Sequence, residues 1–511
     1  MRQTRRRFAS AALVGLAPKG DAQIAGGFVF EGAREGLEQG HRIRGRVGFQ
    51  SAPRREKVPV VIVGGGVAGL SAAWQFDRRG FHDFVVLEAE PQAGGNARFG
   101  ESEVTAYPWA AHYLPVPDVR QKLTRELCTE LGLLDGHVWE ERHLCHSPQE
   151  RLYLHGRWQE GIEPAIGLTK SDAAQFRRFE ELVGELRATG AFRVPMQEGL
   201  EKTGPKIAAL DSMTMAAWME RQGLHSQYLR WFLDYSTRDD YGTRVDGISA
   251  WAGLHYFAAR EPEDKGPLTW PEGNGWILRR LLKKLGRYVR TGAMVYRVGR
   301  EGTKWLVQTE GLAYEAQGVV WAAPTWLAQW VVDPAPPHWP ITNAPWVTAN
   351  LHLHRWPANR GLDYAWDNVI YNSASLGYVI ATHQNLNLYQ PKTVWTWYMA
   401  LADGSAADQR RILLGGDYPY WRERILSDLE KAHPDIRQCV SRIDIFRIGH
   451  AMPRPAPGAI FHPERMKRAR PEGTLVYANC DLSALSLFEE AQYRGVTAAD
   501  HLMRVVSRGG A

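Results

Sequence analysis

The pattern Gly64-x-Gly66-x-x-Gly69 places three glycines where a nucleotide pyrophosphate could bind. It directly follows the apolar, β-branched run Val60–Val63, which is typical of a strand buried on both faces of a parallel sheet. Gly64 permits a tight turn, Gly66 lets the backbone approach a pyrophosphate at a helix N-terminus, and Gly69 lets the helix pack closely on the strand. The residues that follow therefore have to form a helix.

A carboxylate stands at the place where such a unit binds ribose. Residues 70–79 have the pattern of that helix, Phe84–Leu87 is a second apolar run, and Glu88 ends it 24 residues after Gly64. An acid there can accept hydrogen bonds from both ribose hydroxyls, and it repels a 2′-phosphate. The strand, glycines, helix, strand and acid together predict a dinucleotide-binding βαβ unit.

The residue patterns offer little support for hydrolase chemistry or for a metal site. No serine lies in a G-x-S-x-G turn, so hydrolase chemistry is disfavoured. The four cysteines stand far apart without a CxxC pair, and His352, His354 and His383 have no fourth ligand at a suitable spacing. We predict no metal site.

The composition is that of an ordinary globular protein. The chain has 511 residues, 44% hydrophobic and 23% charged, which is compatible with about three structural units of roughly 150 residues. Of the formal net charge of +6, five charges lie in residues 1–19. The rest is nearly neutral and lacks a basic stripe with interleaved aromatics, so a nucleic-acid partner is not expected.

Residues 1–19 have the layout of a signal peptide. A basic start with Arg5 and Arg6 precedes a short, weakly apolar stretch at 9–17. The segment resembles a twin-arginine export signal, which directs folded, cofactor-loaded proteins across the bacterial inner membrane. We expect export to the periplasm through the machinery for folded proteins. No further run approaches the 18 apolar residues of a membrane span, so stable membrane insertion is not expected.

A second glycine pair after the βαβ unit carries a family resemblance. Gly94 and Gly95 follow Glu88 in a segment that resembles the E-x-x-x-x-x-G-G-R motif of the FAD-dependent amine oxidase superfamily, which also includes phytoene desaturases and protoporphyrinogen oxidases. Asn96 stands where the family has an arginine that meets the FAD phosphates, and the resemblance implies that Arg98 takes that role. Further segments at 109–113, 271–282, 295–328 and 475–499 are similar to the family as well.

The resemblance implies FAD as the cofactor. No cysteine lies near 451–458, where some relatives attach the flavin, so we predict non-covalent FAD. The residues expected to contact it are Gly64, Gly66, Ala68, Gly69, Glu88, Gly94, Gly95, Arg98, Val295, Pro324, Asp481 and Ala491.

The implied fold is an α/β class, in which a Rossmann-like FAD-binding domain with a parallel sheet stands beside a mixed α+β substrate domain. Helical patterns at 118–134 and 171–187, with Asp118 and Ser171 as N-caps, belong to the substrate domain. The predicted division is a signal peptide at 1–19, a surface extension of unknown role at 20–57, FAD-domain segments at 58–115, 265–330 and 445–508, and substrate-domain segments at 116–264 and 331–444.

Flavin chemistry requires a substrate C–H bond held over the ring, with the protein supplying position and electrostatics. The resemblance places His112 beside the flavin, and we predict His112, Tyr398 and Tyr493 as the catalytic residues. Trp397 and Phe488 are further candidates for an aromatic pocket. The expected reaction is oxidation of an amine, polyamine or amino-acid-like, to an imine.

One departure from the family leaves alternatives open. Many relatives carry a lysine that assists reoxidation of the flavin by oxygen, and the matching segment here places Ala349 or Asn350 at that position. The electron acceptor could therefore be oxygen, a quinone or another carrier. A desaturase or dehydrogenase acting on an apolar, isoprenoid-like substrate is the alternative enzyme, and a FAD-binding module with a non-catalytic, partner-binding role is the alternative outside enzymes.

Overall fold

The computed structural model describes residues 24–30, 40, 42–45, 49, 54–260, 266–387 and 389–506. The predicted signal peptide at 1–19 lies outside this part of the chain. Within the described ranges, no helix combines the length and the apolar character needed to cross a membrane.

Strands and helices are interspersed along the described part of the chain. The strands are β1 Ala25–Phe28, β2 Arg55–Lys57, β3 Val60–Val63, β4 Phe84–Leu87, β5 Phe99–Glu101, β6 Ala106–Pro108, β7 Tyr113–Leu114, β8 Leu134–Asp135, β9 Val138–Trp139, β10 Glu150–Leu154, β11 Arg157–Glu160, β12 Leu268–Thr269, β13 Val289–Arg290, β14 Arg297–Glu301, β15 Lys304–Gln308, β16 Ala313–Ala316, β17 Gly318–Trp321, β18 Val332–Asp333, β19 Thr342–Leu353, β20 Asp367–Ile370, β21 Tyr378–Ile380, β22 Thr393–Ala400, β23 Val440–Arg454 and β24 Leu475–Tyr477. The α-helices are α1 Val67–Arg78, α2 Lys122–Glu130, α3 Lys170–Ala188, α4 Pro205–Ala208, α5 Met215–Arg221, α6 Gln227–Tyr241, α7 Ala250–Ala258, α8 Gly275–Leu285, α9 Ala328–Val331, α10 Ala406–Gly415, α11 Tyr418–Glu430, α12 Pro463–Arg468 and α13 Phe488–Val506.

A five-stranded parallel sheet in the order β13-β4-β3-β17-β24 forms the first structural unit. Side chains alternate along β3, so Val60 and Ile62 pack with α1, α8 and α13 on one face. Val61 and Val63 pack on the other face against the sheet β18-β14-β15-β16-β2. Burial on both faces explains why the strand sequences are continuously apolar.

An eight-stranded mixed sheet in the order β1-β23-β19-β22-β21-β20-β10-β11 forms the second unit. Its long central strands β19 and β23 run antiparallel and are paired from Thr342–Arg454 to Leu353–Val440. Helices α3, α5, α6 and α7 pack on one face, and α10 and α11 pack on the other. The expected fold, a parallel-sheet FAD-binding domain beside a mixed α+β domain, is confirmed.

Two predicted helix starts are wrong. Helix α3 begins at Lys170, because Thr169 and Asp172 form a reciprocal capping box there, and Ser171 lies inside the helix. Helix α2 begins only at Lys122, since Asp118 uses its carboxylate to hold the Arg120 side chain and backbone N–H in a turn before the helix.

The segment at 20–57 is more than a surface extension where the structure describes it. Strand β1 pairs in parallel with β23, and β2 pairs in parallel with β16. Between them, Ile43 is buried among residues of the first unit. The segment thus begins on the mixed sheet and ends on a sheet of the nucleotide-binding unit.

Candidate active site

A cleft of about 550 Å³ lies between the parallel sheet and the mixed sheet. Nine of the predicted cofactor residues line it: Gly64, Gly66, Ala68, Glu88, Gly95, Val295, Pro324, Asp481 and Ala491. The structure therefore brings together residues from distant parts of the chain at the carboxyl ends of parallel strands, where open α/β sheets bind their ligands.

The turn after β3 depends on two of its glycines. Gly64 has φ +105°, a conformation that side chains disfavour, and its N–H donates to Leu87 O over 2.8 Å. A Cβ at Gly69 would lie 1.9 Å from Gly64 O. Helix α1 can therefore approach the strand this closely only because residue 69 has no side chain.

The start of α1 offers unpaired backbone donors to the cleft. Its N-cap is Gly66, and no side chain caps the helix. A Cβ at Gly66 would point into open space, with Gly95 Cα 3.9 Å away as its nearest neighbour. A pyrophosphate is an anion that can accept hydrogen bonds from the backbone N–H groups at the start of this 12-residue helix. The positive end of the helix dipole and the absence of side chains on this wall also favour its binding.

The Glu88 carboxylate stabilises this loop through hydrogen bonds to its backbone. Its carboxylate accepts hydrogen bonds from Gly65 N–H and Glu90 N–H, both over 2.8 Å. Burial raises the pKa of Glu88, and the two backbone donors oppose that effect. Each oxygen retains lone-pair capacity for a ribose hydroxyl, and Glu88 lines the cleft.

The adenosine end of the cleft is apolar. Met294 and Val295, which follow β13, line it together with Leu327 and Val331. Ile43 of the N-terminal segment completes this wall and is only 8% exposed. Ile43 therefore contributes to the cleft wall, a position that the Gly- and Arg-rich sequence around it does not reveal.

At the opposite end, Asp481 follows β24 and meets the loop after β17. Its Oδ2 accepts hydrogen bonds from Thr325 N–H over 2.8 Å and from Thr325 Oγ1 over 3.0 Å. Burial raises the pKa of Asp481, and the Thr325 donors oppose it. Helix α13 starts beside it, with Phe488 and Ala491 on the cleft wall.

Arg98 lies against the turn that carries the second glycine pair. Its Nε donates to Gly95 O over 3.1 Å, and its guanidinium stacks 4.6 Å from the Phe30 ring and 5.2 Å from the Phe446 ring. It is not among the cleft-lining residues, and neither are Gly69 and Gly94.

His112 projects into the cleft as a neutral imidazole. Its Nδ1 hydrogen-bonds Ala110 O over 3.0 Å, which leaves Nε2 as an acceptor. Burial lowers the pKa of His112 to about 4. The ring lies 4.8 Å from that of Tyr398, so the two predicted residues stand side by side.

Tyr398 belongs to an aromatic wall on β19 and β22. Its ring is parallel to that of Trp346 within 4°, with 6.4 Å between centroids, and both line the cleft. Its hydroxyl donates to the buried Asp367 carboxylate at 3.3 and 3.4 Å. The phenol is therefore anchored at its far end, and its face is presented to the cavity.

Two other aromatic candidates lie elsewhere. Trp397 precedes Tyr398 on β22, so it points to the opposite face of the sheet and donates to Asp428 over 3.0 Å. Tyr493 is not on the cleft wall, because five residues after Phe488 it has rotated away around α13. The sequence placed Ala349 or Asn350 at the position of the family's lysine. Neither residue lines the cleft, whereas the preceding residue, Thr348, does.

Four further cleft residues escaped sequence reasoning. Asp239 and Asp240 end α6, Arg260 follows α7, and Asn274 precedes α8. Burial raises the pKa of Asp240 to about 6 and that of Asp239 well above its usual value. The available signal was the pair of acids in the last turn of a helix, where the macrodipole disfavours negative charge.

The cleft fits a dinucleotide with a flavin ring at one end. The glycine channel and uncapped α1 match a pyrophosphate, Glu88 matches a ribose, and the apolar wall around Val295 matches an adenine. His112 and Tyr398 line the same cleft together with Trp346 and Thr348 of the mixed sheet, which makes this part the candidate position for a substrate.

Comparison with known proteins agrees with this geometry. Residues 67–353, more than half of the chain, match the model of the family described as "Flavin containing amine oxidoreductase". The chain is 23% identical over 282 residues to a probable flavin-containing monoamine oxidase A of Dictyostelium discoideum, covering 53% of this chain and 58% of that protein.

It is 24% identical over 332 residues to the flavin-containing amine oxidase B of Bos taurus, covering 61% of this chain and 60% of that protein. The match thus spans little more than half the length of these curated relatives. Among solved structures, a putrescine oxidase bound to putrescine is similar in fold, with a TM-score of 0.68, 15% identity, and coverage of 88% of this chain and 100% of that one.

Proposed function

The chain belongs to the flavin-containing amine oxidoreductase family, with FAD as its cofactor and oxidoreductase as its class, and from this premise we propose that it oxidises an amine to an imine. The observation that carries the proposal is the composition of the cavity beside His112 and Tyr398. It combines aromatic faces, a neutral imidazole and carboxylates, with Arg260 as the one lysine or arginine among the described cleft-lining residues.

When bound, FAD would supply the two-electron oxidant that accepts a hydride from the carbon beside the amine nitrogen, and the protonated imine so formed would lose a proton to solvent to give the imine. The residues of this chain orient the substrate. His112 Nε2 accepts an N–H of the neutral amine, because its Nδ1–H is held by Ala110 O. Trp346 and Tyr398 present flat faces that pack against the substrate carbons and exclude water.

The acceptor that reoxidises the flavin is oxygen or a carrier such as a quinone. The side chain of Thr348 on the cleft wall is bound to Trp109 O over 2.6 Å. No lysine is available among the described cleft residues to hold a water against the flavin. Comparing reoxidation by dissolved oxygen with reoxidation by a soluble quinone separates the two acceptors.

An anaerobic screen tests the proposed reaction. The purified, FAD-loaded protein is mixed with amines, amino acids and apolar alkenes, and the absorbance of the oxidised flavin is followed. Bleaching by amines is the expected result. Bleaching by alkenes alone would replace the proposal with the desaturase alternative, and bound FAD that no class reduces would favour a non-catalytic module.

We also propose that the protein is exported to the periplasm. The support is the Arg5-Arg6 pair before a short apolar stretch. Changing both arginines to lysine keeps the charge and removes the paired guanidinium groups. The expected result is precursor retained in the cytoplasm on cell fractionation, whereas normal periplasmic accumulation of the variant would contradict export by this route.

A further inference from the structure

We propose that a pocket outside the cofactor cleft is a binding site for an aromatic carboxylate. The pocket has a volume of about 400 Å³ and is enclosed by the first half of α8, the turn after β12 and the loop that carries Arg142 and His143. Among the described residues, its lining shares none with the lining of the cleft. This second site is therefore independent of the reaction proposed above.

The apolar wall of the pocket consists of two tryptophans and a proline. Trp270 and Trp276 stack with 5.0 Å between their ring centroids and 15° between their planes. Pro271 follows Trp270 in the turn after β12 and lines the same pocket. A wall of this kind favours a ligand with a flat, apolar body over a hydrated inorganic ion.

Arg280 supplies a guanidinium group that no carboxylate pairs with. Its Cζ lies 3.2 Å from the centroid of the Trp276 ring, and its Nη1 donates to Trp276 O over 3.3 Å. Within the described part of the chain, Arg280 takes part in no ion pair. Stacking on Trp276 fixes the plane of the guanidinium, and its remaining N–H groups can bind both oxygens of a carboxylate.

His143 adds a neutral hydrogen-bond donor to the same wall. Trp270 Nε1 donates to His143 Nδ1 over 3.1 Å, so the neutral imidazole carries its proton on Nε2. Burial and the cations Arg142 and Arg280 lower the pKa of His143 to about 4, although Glu140 opposes them. The imidazole is thus neutral at pH 7, and no residue in the described ranges accepts a hydrogen bond from its Nε2–H.

The other charged side chains at the pocket do not satisfy this demand for an anion. Arg279 binds Glu101 and lies 3.6 Å from Glu272, the one carboxylate on the described pocket wall. Arg142 is 70% exposed and pairs with Glu140 at 3.3 Å, and an exposed pair of this kind contributes little. The described wall therefore carries three guanidinium groups and one carboxylate, a balance that attracts an anion.

An aromatic carboxylate satisfies both parts of the pocket. Its carboxylate would bind Arg280 and the Nε2–H of His143, and its ring would pack against the apolar wall. The arginines repel a cationic ligand. A neutral aromatic compound would leave Arg280 without a counter-ion, and an inorganic anion would leave the tryptophan wall unused.

Calorimetric titration of the FAD-loaded protein with benzoate, benzamide and acetate tests the site. Benzamide keeps the ring and lacks the negative charge, whereas acetate keeps the charge and lacks the ring. For the wild type, we expect saturable binding of benzoate, at least tenfold tighter than that of either other compound. Arg280→Gln should weaken benzoate binding at least tenfold, and Arg142→Gln should weaken it at least threefold.

Lys283→Gln is the matched control, because Lys283 is exposed on the same helix and does not line the pocket. It removes one positive charge, as Arg280→Gln does, and should leave the affinity for benzoate within twofold of the wild type. FAD content and melting temperature identify a variant that fails to fold. Because the Arg142 side chain is exposed, Arg142→Gln remains a test if Arg280→Gln does not fold.

Three results would overturn the proposal. The first is the absence of saturable benzoate binding to the wild type. The second is equal affinity for benzoate and either benzamide or acetate. The third is benzoate binding that persists in both arginine variants, since neither Arg142 nor Arg280 lines the cofactor cleft and a ligand bound there would not depend on them.

Discussion

Gly66 and Gly95 face each other across the floor of the cofactor cleft, where a Cβ on Gly95 would lie 3.4 Å from Gly66 Cα. Two segments 29 positions apart thus meet without a side chain between them. One contributes the start of α1, and the other contributes the turn after the second glycine pair. The two backbones therefore approach to van der Waals distance, and Gly95 also has φ +56°, a conformation that favours glycine.

Gly66→Val should abolish FAD retention, because the added isopropyl group enters the open space beside the N-terminus of α1, where the pyrophosphate is expected to bind. The ratio of flavin absorbance to protein absorbance after purification measures FAD retention. Gly184→Ala is the control, since Gly184 lies on α3 and a Cβ there meets nothing within 4 Å. A Gly66→Val protein that purifies with full flavin would refute the assignment of the phosphate loop.

Glu88→Gln should weaken FAD binding by a factor of about ten or more. The amide keeps one acceptor oxygen but places an NH₂ group against Gly65 N–H or Glu90 N–H, and a loss of about 1.4 kcal/mol corresponds to a tenfold change. Fluorescence of released FAD on dilution measures the affinity. Glu185→Gln, at an exposed position on α3, should leave the affinity unchanged.

Two substitutions of Tyr398 separate the contribution of its aromatic ring from that of its hydroxyl. Tyr398→Phe keeps the aromatic face and removes one of two tyrosine donors to Asp367, the other being Tyr235 at 3.4 Å. We expect flavin reduction by the best amine to stay within about threefold and stability to fall by about 1–3 kcal/mol. Tyr398→Leu should lower reduction at least tenfold. Equal rates for both variants would show that the ring face does not position the substrate.

His433 should make stability depend on pH. It is fully buried, its Nε2 shares a 2.6 Å hydrogen bond with the Tyr378 hydroxyl, and burial and nearby Arg151 lower its pKa to about 3. The unfolded chain binds this proton below about pH 6.5 and the folded protein does not. The stabilisation present above pH 6.5 is thus lost as pH falls towards 3, by about 3 kcal/mol at pH 4.

His433→Asn removes that contribution, so the gap in unfolding free energy between wild type and variant should narrow by about 3 kcal/mol from pH 7 to pH 4. Denaturant titrations of the holoprotein at the two pH values measure the gap. The buried carboxyl groups titrate in both proteins and cancel in the difference. Parallel stability profiles would show that His433 does not remain neutral.

The sequence alone predicted the nucleotide-binding unit because that unit is local. The strand at 60–63, its glycines, the helix and Glu88 lie within one continuous stretch, and the backbone conformation each glycine permits is a property of that residue itself. Burial on both faces of a parallel sheet also leaves a continuous apolar run that sequence inspection detects. The family resemblance then extended this unit to FAD and to the two-domain fold.

Only the tertiary structure decided which side chains reach the cavity. Tyr398 and Trp397 are adjacent in sequence and both aromatic, and the pairing of β22 in its sheet determines that Tyr398 faces the cleft. Asp240 meets Tyr113 across 127 positions of chain, and Arg98 is held by Phe30 and Phe446 from remote segments. These contacts depend on how separate elements pack, and no local pattern of residue types encodes that packing.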